Sequence, residues 1–159
     1  MLERAAGLPD VGQLRDDLEI LAAHHRPVGS QGEADAVRYL RDRFEEMGYS
    51  VTLQPYTDGQ GRTGHNVAAV KAASVPDADI LVLSAHHDSV PTAYGANDNA
   101  SGVAALLYTA EALRNVPTDT EVRFLSFTDE ENGKNGSRTY TASLTEEERT
   151  RIVGAIQFD

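Results

Sequence analysis

Cysteine is absent from the 159-residue chain, so disulfides and thiolate metal sites are excluded. Any metal must then be held by His, Asp and Glu, a ligand set that suits zinc or manganese in hydrolytic sites. Basic residues are scarce. Fourteen Lys and Arg stand against 25 Asp and Glu, a net charge of −11. That balance argues against nucleic-acid phosphates and against an anionic membrane surface as partners. No stretch reaches the roughly 18 apolar residues that a membrane span requires. The opening "MLERAAGLPD" lacks a basic segment followed by an apolar one, so no secretory signal is read there, and the compartment stays open. Neither G-x-S-x-G nor H-E-x-x-H occurs, which leaves the serine hydrolase and zincin readings without their motifs. Repeats and low-complexity linkers are also missing, and one domain over 1–159 is expected.

What is present reads as alternating helices and strands. Asp10 and Gln13 suggest a capping box, and Val11, Leu14, Leu18 and Leu21 follow at helical spacing, predicting a helix over about 10–24. Ser30 with Glu33 is a second capping box. Behind it Ala34, Val37, Leu40, Phe44 and Met47 share one face, and Gly48 supplies the stop. "YSVTLQPY" alternates like a strand. "GQGRTG" at 59–64 fits G-x-G-x-x-G, but "HNVAAVK" after it reads as a strand and not a helix, so a hairpin connection is expected and no dinucleotide site. "DILVLSA" and "EVRFLSF" are buried strands, with a helix through Val103, Leu106, Leu107, Ala110 and Leu113 between them. "NGSRTYTASL" reads as a helix and "RIVGAIQF" as a last buried strand. This alternation predicts an α/β fold, a three-layer α-β-α sandwich around a mixed, largely parallel sheet.

Ligands of such sheets bind beyond the carboxyl ends of the strands. There this chain places His86, His87 and Asp88 after one strand, Asp129, Glu130 and Glu131 after the next, and Asp159 after the last. Asn97, Asp98 and Asn99 stand at the entrance to the third helix. Singly, these are what surface loops and N-caps carry. Together they form a carboxylate cluster that repels itself unless cations neutralise it. Residues two apart on extended chain share a face, so Asp88 can orient the His86 ring while His87 points the other way.

"HHDS", "GANDNASG", "DEENGKNGS" and "QFD", in this order and spacing, resemble the co-catalytic dizinc aminopeptidases, metallopeptidase family twenty-eight. "RPVGSQGEADAVRYLRDRFEEMGY" resembles that family's approach to its catalytic domain. The resemblance implies that His86, Asp98 and Asp159 bind one zinc, that Asp98 bridges to a second zinc held by Glu131, that Asp88 orients His86, and that Glu130 is the general base. It implies a peptide substrate losing its N-terminal residue to a two-metal activated water, and it suggests secretion. Asn97 and Asn99 are expected to brace the loop of Asp98.

One departure qualifies this. The family's further histidine ligand lies downstream of the aspartate matched by Asp159. One complete zinc site is therefore expected in this chain, which is read as the N-terminal portion of a zinc peptidase catalytic domain, truncated at its C-terminal side. A metal-binding but catalytically inactive module is the alternative. His24, His25, His65 and His87 offer no obvious replacement ligand. An exposed sheet edge, open to self-association, is also expected.

Overall fold

The computed structural model describes residues 8–159. The first seven residues, on which much of the reading of a missing leader falls, lie outside them. Two helices come first, α1 (Val11–Leu21) and α2 (Gln31–Glu46), then the hairpin β1 (Ser50–Thr57) and β2 (Thr63–Lys71). The second half alternates as β3 (Ile80–His86), α3 (Ser101–Leu113), β4 (Glu121–Phe127), α4 (Asn135–Ser143), α5 (Glu146–Arg151) and β5 (Ile152–Gln157). Among the described residues no helix is long and apolar enough to cross a membrane.

The sheet order is β1-β2-β4-β3-β5. β2 runs antiparallel to β1 and β4, while β3 pairs in parallel with both β4 and β5. The mixed sheet is thus parallel over the three strands that carry the acidic ends. Alternation along each strand divides the core. Val67, Leu83, Ala85, Val122 and Phe124 face Leu21, Leu40, Phe44, Val103 and Leu107 of α1–α3. Ile80, Val82, Leu125 and Phe127 face the other way, against Tyr140 of α4. Phe124 and Phe44 stack across the first layer with centroids 6.0 Å apart. This is the expected three-layer sandwich.

Several local expectations are revised. α1 stops at Leu21 and not near residue 24. Asp10 caps it by accepting from Gly12 N at 2.9 Å, while Gln13 turns to Asp17 at 3.1 Å. Ser30 caps α2 through Glu33 N at 3.2 Å, but the Glu33 carboxylate does not complete the box. It accepts from Gly29 N at 2.6 Å and from the Thr128 hydroxyl instead. Ala34 is exposed, and Ala36 takes its place on the buried face. The residues of "GQGRTG" do connect two strands, and Asp58 closes the turn by accepting from Gln60 N and Arg62 N at 2.8 Å each. The expectation of a buried last strand fails. β5 is an edge strand with Val153 62% and Ile156 51% exposed, because among the described residues only β3 pairs with it and its register slips between Ile80 and Leu81.

Candidate metal centre

Strand register brings the acidic residues together. His86 of β3 lies opposite Phe127 of β4, and Ser84 lies opposite Gln157 of β5. Two residues beyond the second pair are His86 and Asp159. Phe158 N donates to Ser84 O at 2.8 Å and keeps the last residues in line. Three parallel strands therefore deliver side chains to one rim, as parallel sheets do.

His86 is the centre of that rim and is 1% exposed. Its Nε2 lies 3.0 Å from Asp98 Oδ1 and 3.3 Å from Asp159 Oδ1. The three residues each offer a ligand atom within 4.8 Å of the others. Ligands at zinc–nitrogen and zinc–oxygen distances of about 2.0–2.2 Å in a tetrahedron sit roughly 3.3 Å apart, so this donor set fits a zinc ion in both chemistry and spacing. The other ring nitrogen, Nδ1, makes no hydrogen bond among the described residues and faces Asp88 Oδ1 at 3.3 Å. Burial alone would lower the imidazole pKa. The Asp88 carboxylate, then Glu130 and Asp159, outweigh it and push His86 up to about 9. The rim thus strongly favours positive charge at this point.

Asp88 does more than face the ring. Its Oδ1 accepts from Glu130 N at 3.0 Å and its Oδ2 from Glu131 N at 3.2 Å, tying the end of β3 to the loop after β4. Burial opposes the charge of Asp88, but His86 and the Glu130 N–H overcome it and hold the carboxyl below its usual range. That loop begins at Asp129, a non-glycine at φ 53°, whose buried carboxylate accepts from Asn132 Nδ2 at 2.6 Å and Asn135 Nδ2 at 2.7 Å. The sequence alone groups Asp129 with the rim carboxylates. The structure spends it on the turn that presents Glu130 and Glu131.

Glu131 lies outside the three-residue cluster but shares its field. Burial, then the charges of Asp98 and Asp88, raise its carboxyl above the ordinary range against the pull of His86. Glu130 is half-buried, with Lys134 Nζ at 3.8 Å. Asp98 stands on an irregular turn at 96–100 entering α3, follows Gly95 at φ 61°, and precedes a cis peptide bond to Asn99. Asn99 is fully buried and braces two pieces of the rim. Its Oδ1 accepts from Gly102 N at 2.9 Å, and its Nδ2 donates to Phe158 O at 2.8 Å, next to Asp159. Asn97 is exposed, and among the described residues its side chain has no hydrogen-bond partner; its carbonyl accepts from the Ser101 hydroxyl at 2.8 Å. The four spare histidines stay outside the cluster. His24 and His25 are exposed, His65 is half-buried, and His87 is sealed beneath the rim.

A model of peptidase family M28 matches residues 66–159, which contain every residue of this rim. The chain belongs to that family. Among M28-like relatives, aminopeptidase YwaD of Bacillus subtilis (strain 168) is 42% identical over 103 residues, covering 64% of this chain and 22% of that protein. Leupeptin-inactivating enzyme 1 of Streptomyces exfoliatus is 34% identical over 148 residues, covering 89% of this chain and 33% of that protein. The chain therefore spans a third or less of the length of these two relatives. Its fold is similar to the solved structure of BSAP, a zinc aminopeptidase from Bacillus subtilis, with a TM-score of 0.88 and 17% identity over 94% of this chain and 69% of that one.

Proposed function

We propose that this rim is the zinc centre of a hydrolase of the aminopeptidase type, which releases N-terminal residues from peptides. The observation that carries the reading is the convergence of His86 Nε2, Asp98 and Asp159 from three separate segments. The names of the M28 relatives support it. In this proposal His86, Asp98 and Asp159 would hold one zinc, and Asp98 and Glu131 would contribute to a second. Zinc, when bound, supplies Lewis acidity, lowering the pKa of water and stabilising negative charge on a carbonyl oxygen.

The remaining steps belong to the protein. Glu130 takes the proton from the attacking water and hands it to the leaving amine. Asp88 fixes the Glu130–Glu131 main chain through both carboxylate oxygens and keeps the imidazole of His86 turned toward the rim. The chain is proposed as the N-terminal portion of a peptidase catalytic domain. The exposed β5 edge is proposed to support self-association, read as an elution volume that shifts with concentration and stops shifting in Ile156→Lys.

A second reading, a metal-binding but catalytically inactive module, is favoured by one observation: Glu131 is not part of the converging set, so a second zinc has only two ligands proposed here. Metal analysis and hydrolysis of aminoacyl p-nitroanilides on the same sample separate the two. Metal with turnover, falling about 10²–10⁴-fold in Glu130→Gln while the metal is retained, supports the peptidase. Metal without turnover supports the inactive module. A chain that binds no zinc at all contradicts both.

A further inference from the structure

A residue far away in sequence donates hydrogen bonds to both ends of the segment between His86 and Asp98. Arg26 follows α1 and is 1% exposed, yet its guanidinium meets no carboxylate among the described residues. Its donors go to main-chain carbonyls only. Nε reaches His87 O at 2.7 Å, between the two site residues His86 and Asp88. Nη1 reaches Tyr94 O at 2.7 Å and Nη2 reaches Gly95 O at 3.0 Å, just ahead of Asp98. Nη1 also serves Leu21 O and His24 O at the end of α1. The backbone of Arg26 is latched as well. Arg26 N donates to Ser89 Oγ at 3.0 Å, and Ser89 N donates back to Arg26 O at 3.2 Å.

Residues 87–95 have no regular secondary structure and contain an exposed tip, so strand and helix ladders cannot set their path. A planar guanidinium with five fixed N–H donors can gather carbonyls from both ends of such a segment, which a lysine ammonium cannot do. Gly95 is fitted to this arrangement. A Cβ there would lie 2.7 Å from Ser89 Cβ and 2.9 Å from Arg26 Nη2, at a φ of 61° that side chains rarely adopt.

We propose that Arg26, latched by Ser89, is a positioning residue that sets the distance between His86 and Asp98 by cradling the segment that joins them. The proposal rests on the reading of the rim as a metal centre and deepens it.

Zn²⁺ titration and the visible spectrum of bound Co²⁺ test it on the whole chain, in Arg26→Lys and in Ser89→Ala. Amide hydrogen exchange is followed in parallel without metal. Zn²⁺ affinity is expected to fall about tenfold or more in Arg26→Lys, and less in Ser89→Ala. The Co²⁺ bands should shift, and exchange should accelerate at 87–99 while β4 and α2 stay protected. In Arg26→Ala, millimolar guanidinium should restore part of the lost affinity. Unchanged affinity, Co²⁺ spectrum and exchange in a folded Arg26→Lys overturn the proposal. If that variant does not fold, the same unchanged result in Ser89→Ala overturns it. A wild-type chain that takes no metal refutes the metal-centre reading. Exchange at 87–99 then decides the positioning role alone.

Discussion

His86 and His87 are adjacent, equally buried and made of the same chemistry, yet the fold gives them opposite surroundings. Strand alternation is the cause. His86 turns to the rim, where Asp88, Asp98 and Asp159 lie within 3.3 Å of its nitrogens. His87 turns toward α2, where Nδ1 pairs with Ser126 Oγ at 2.9 Å and Nε2 lies 3.7 Å from Glu33. Asp98 and Asp159 keep their side chains 66% and 49% exposed, whereas Glu33 is almost wholly enclosed and already engaged by Gly29 N and Thr128. Burial of the ring therefore does not distinguish the two histidines. What separates the two rings is that His86 faces two exposed carboxylates, Asp98 and Asp159, while His87 faces only the enclosed and engaged Glu33 among the described residues.

The largest expected effect tests that separation directly. His86→Ala should lower Zn²⁺ affinity by more than about a hundredfold, since even outer partners of a ligand histidine are worth about 10–100-fold. Calorimetric titration measures this, and wild-type affinity in the variant would remove His86 from the centre. Asp88→Asn comes next. It should cost about 10–100-fold in Zn²⁺ affinity. Turnover should fall further than affinity, because the same carboxylate also carries the main chain of Glu130 and Glu131. A loss confined to affinity would mean that the loop after β4 does not depend on Asp88.

His87→Ala is expected to act on stability instead. It strands the buried Ser126 hydroxyl and leaves a cavity, together about 2–4 kcal/mol in denaturant unfolding. Zn²⁺ affinity of the folded variant should stay within about threefold of wild type. If it falls as far as in His86→Ala, the two faces of β3 are not independent and the contrast between the histidines collapses.

Much of this was legible in the sequence because it rests on local rules. Apolar runs announced β3 and β4, helical spacing announced α3, and period-two alternation separated His86 from His87. The strand-end rule puts His86 and Asp159 on one edge of the sheet, whereas Asp98, at the entrance to α3, joins them in the sequence only through the family resemblance. What escaped depends on partners remote in sequence. β5 is apolar enough to read as buried, but burial of a strand is set by its neighbours, and among the described residues only β3 pairs with it. α5 was missed because its six residues are polar throughout. Its Thr145–Glu148 capping box was the available signal. The double role of Asp88 and the contacts of Arg26 join segments tens of residues apart, and no spacing rule reaches across them. The Asp129 turn is local, but its positive φ and its two asparagine donors give no periodic signal.

The face of His87 also makes the smallest of these predictions. Gly64 sits on β2 opposite Tyr56, and a Cβ there would collide with the Glu33 carboxylate and the Thr128 hydroxyl. Those two groups hydrogen-bond each other, so α2, β2 and the end of β4 meet at a point too tight for one methyl group. Gly64→Ala should therefore destabilise the chain by about 1–2 kcal/mol through overpacking. Zn²⁺ affinity should not change, because none of the atoms displaced faces the rim. A methyl group tolerated at no cost would show that Glu33 can move away from Thr128. A methyl group that instead weakened Zn²⁺ binding would show that strain at α2 passes through the end of β4 into the Glu130–Glu131 loop, joining the two faces that the adjacent histidines keep apart.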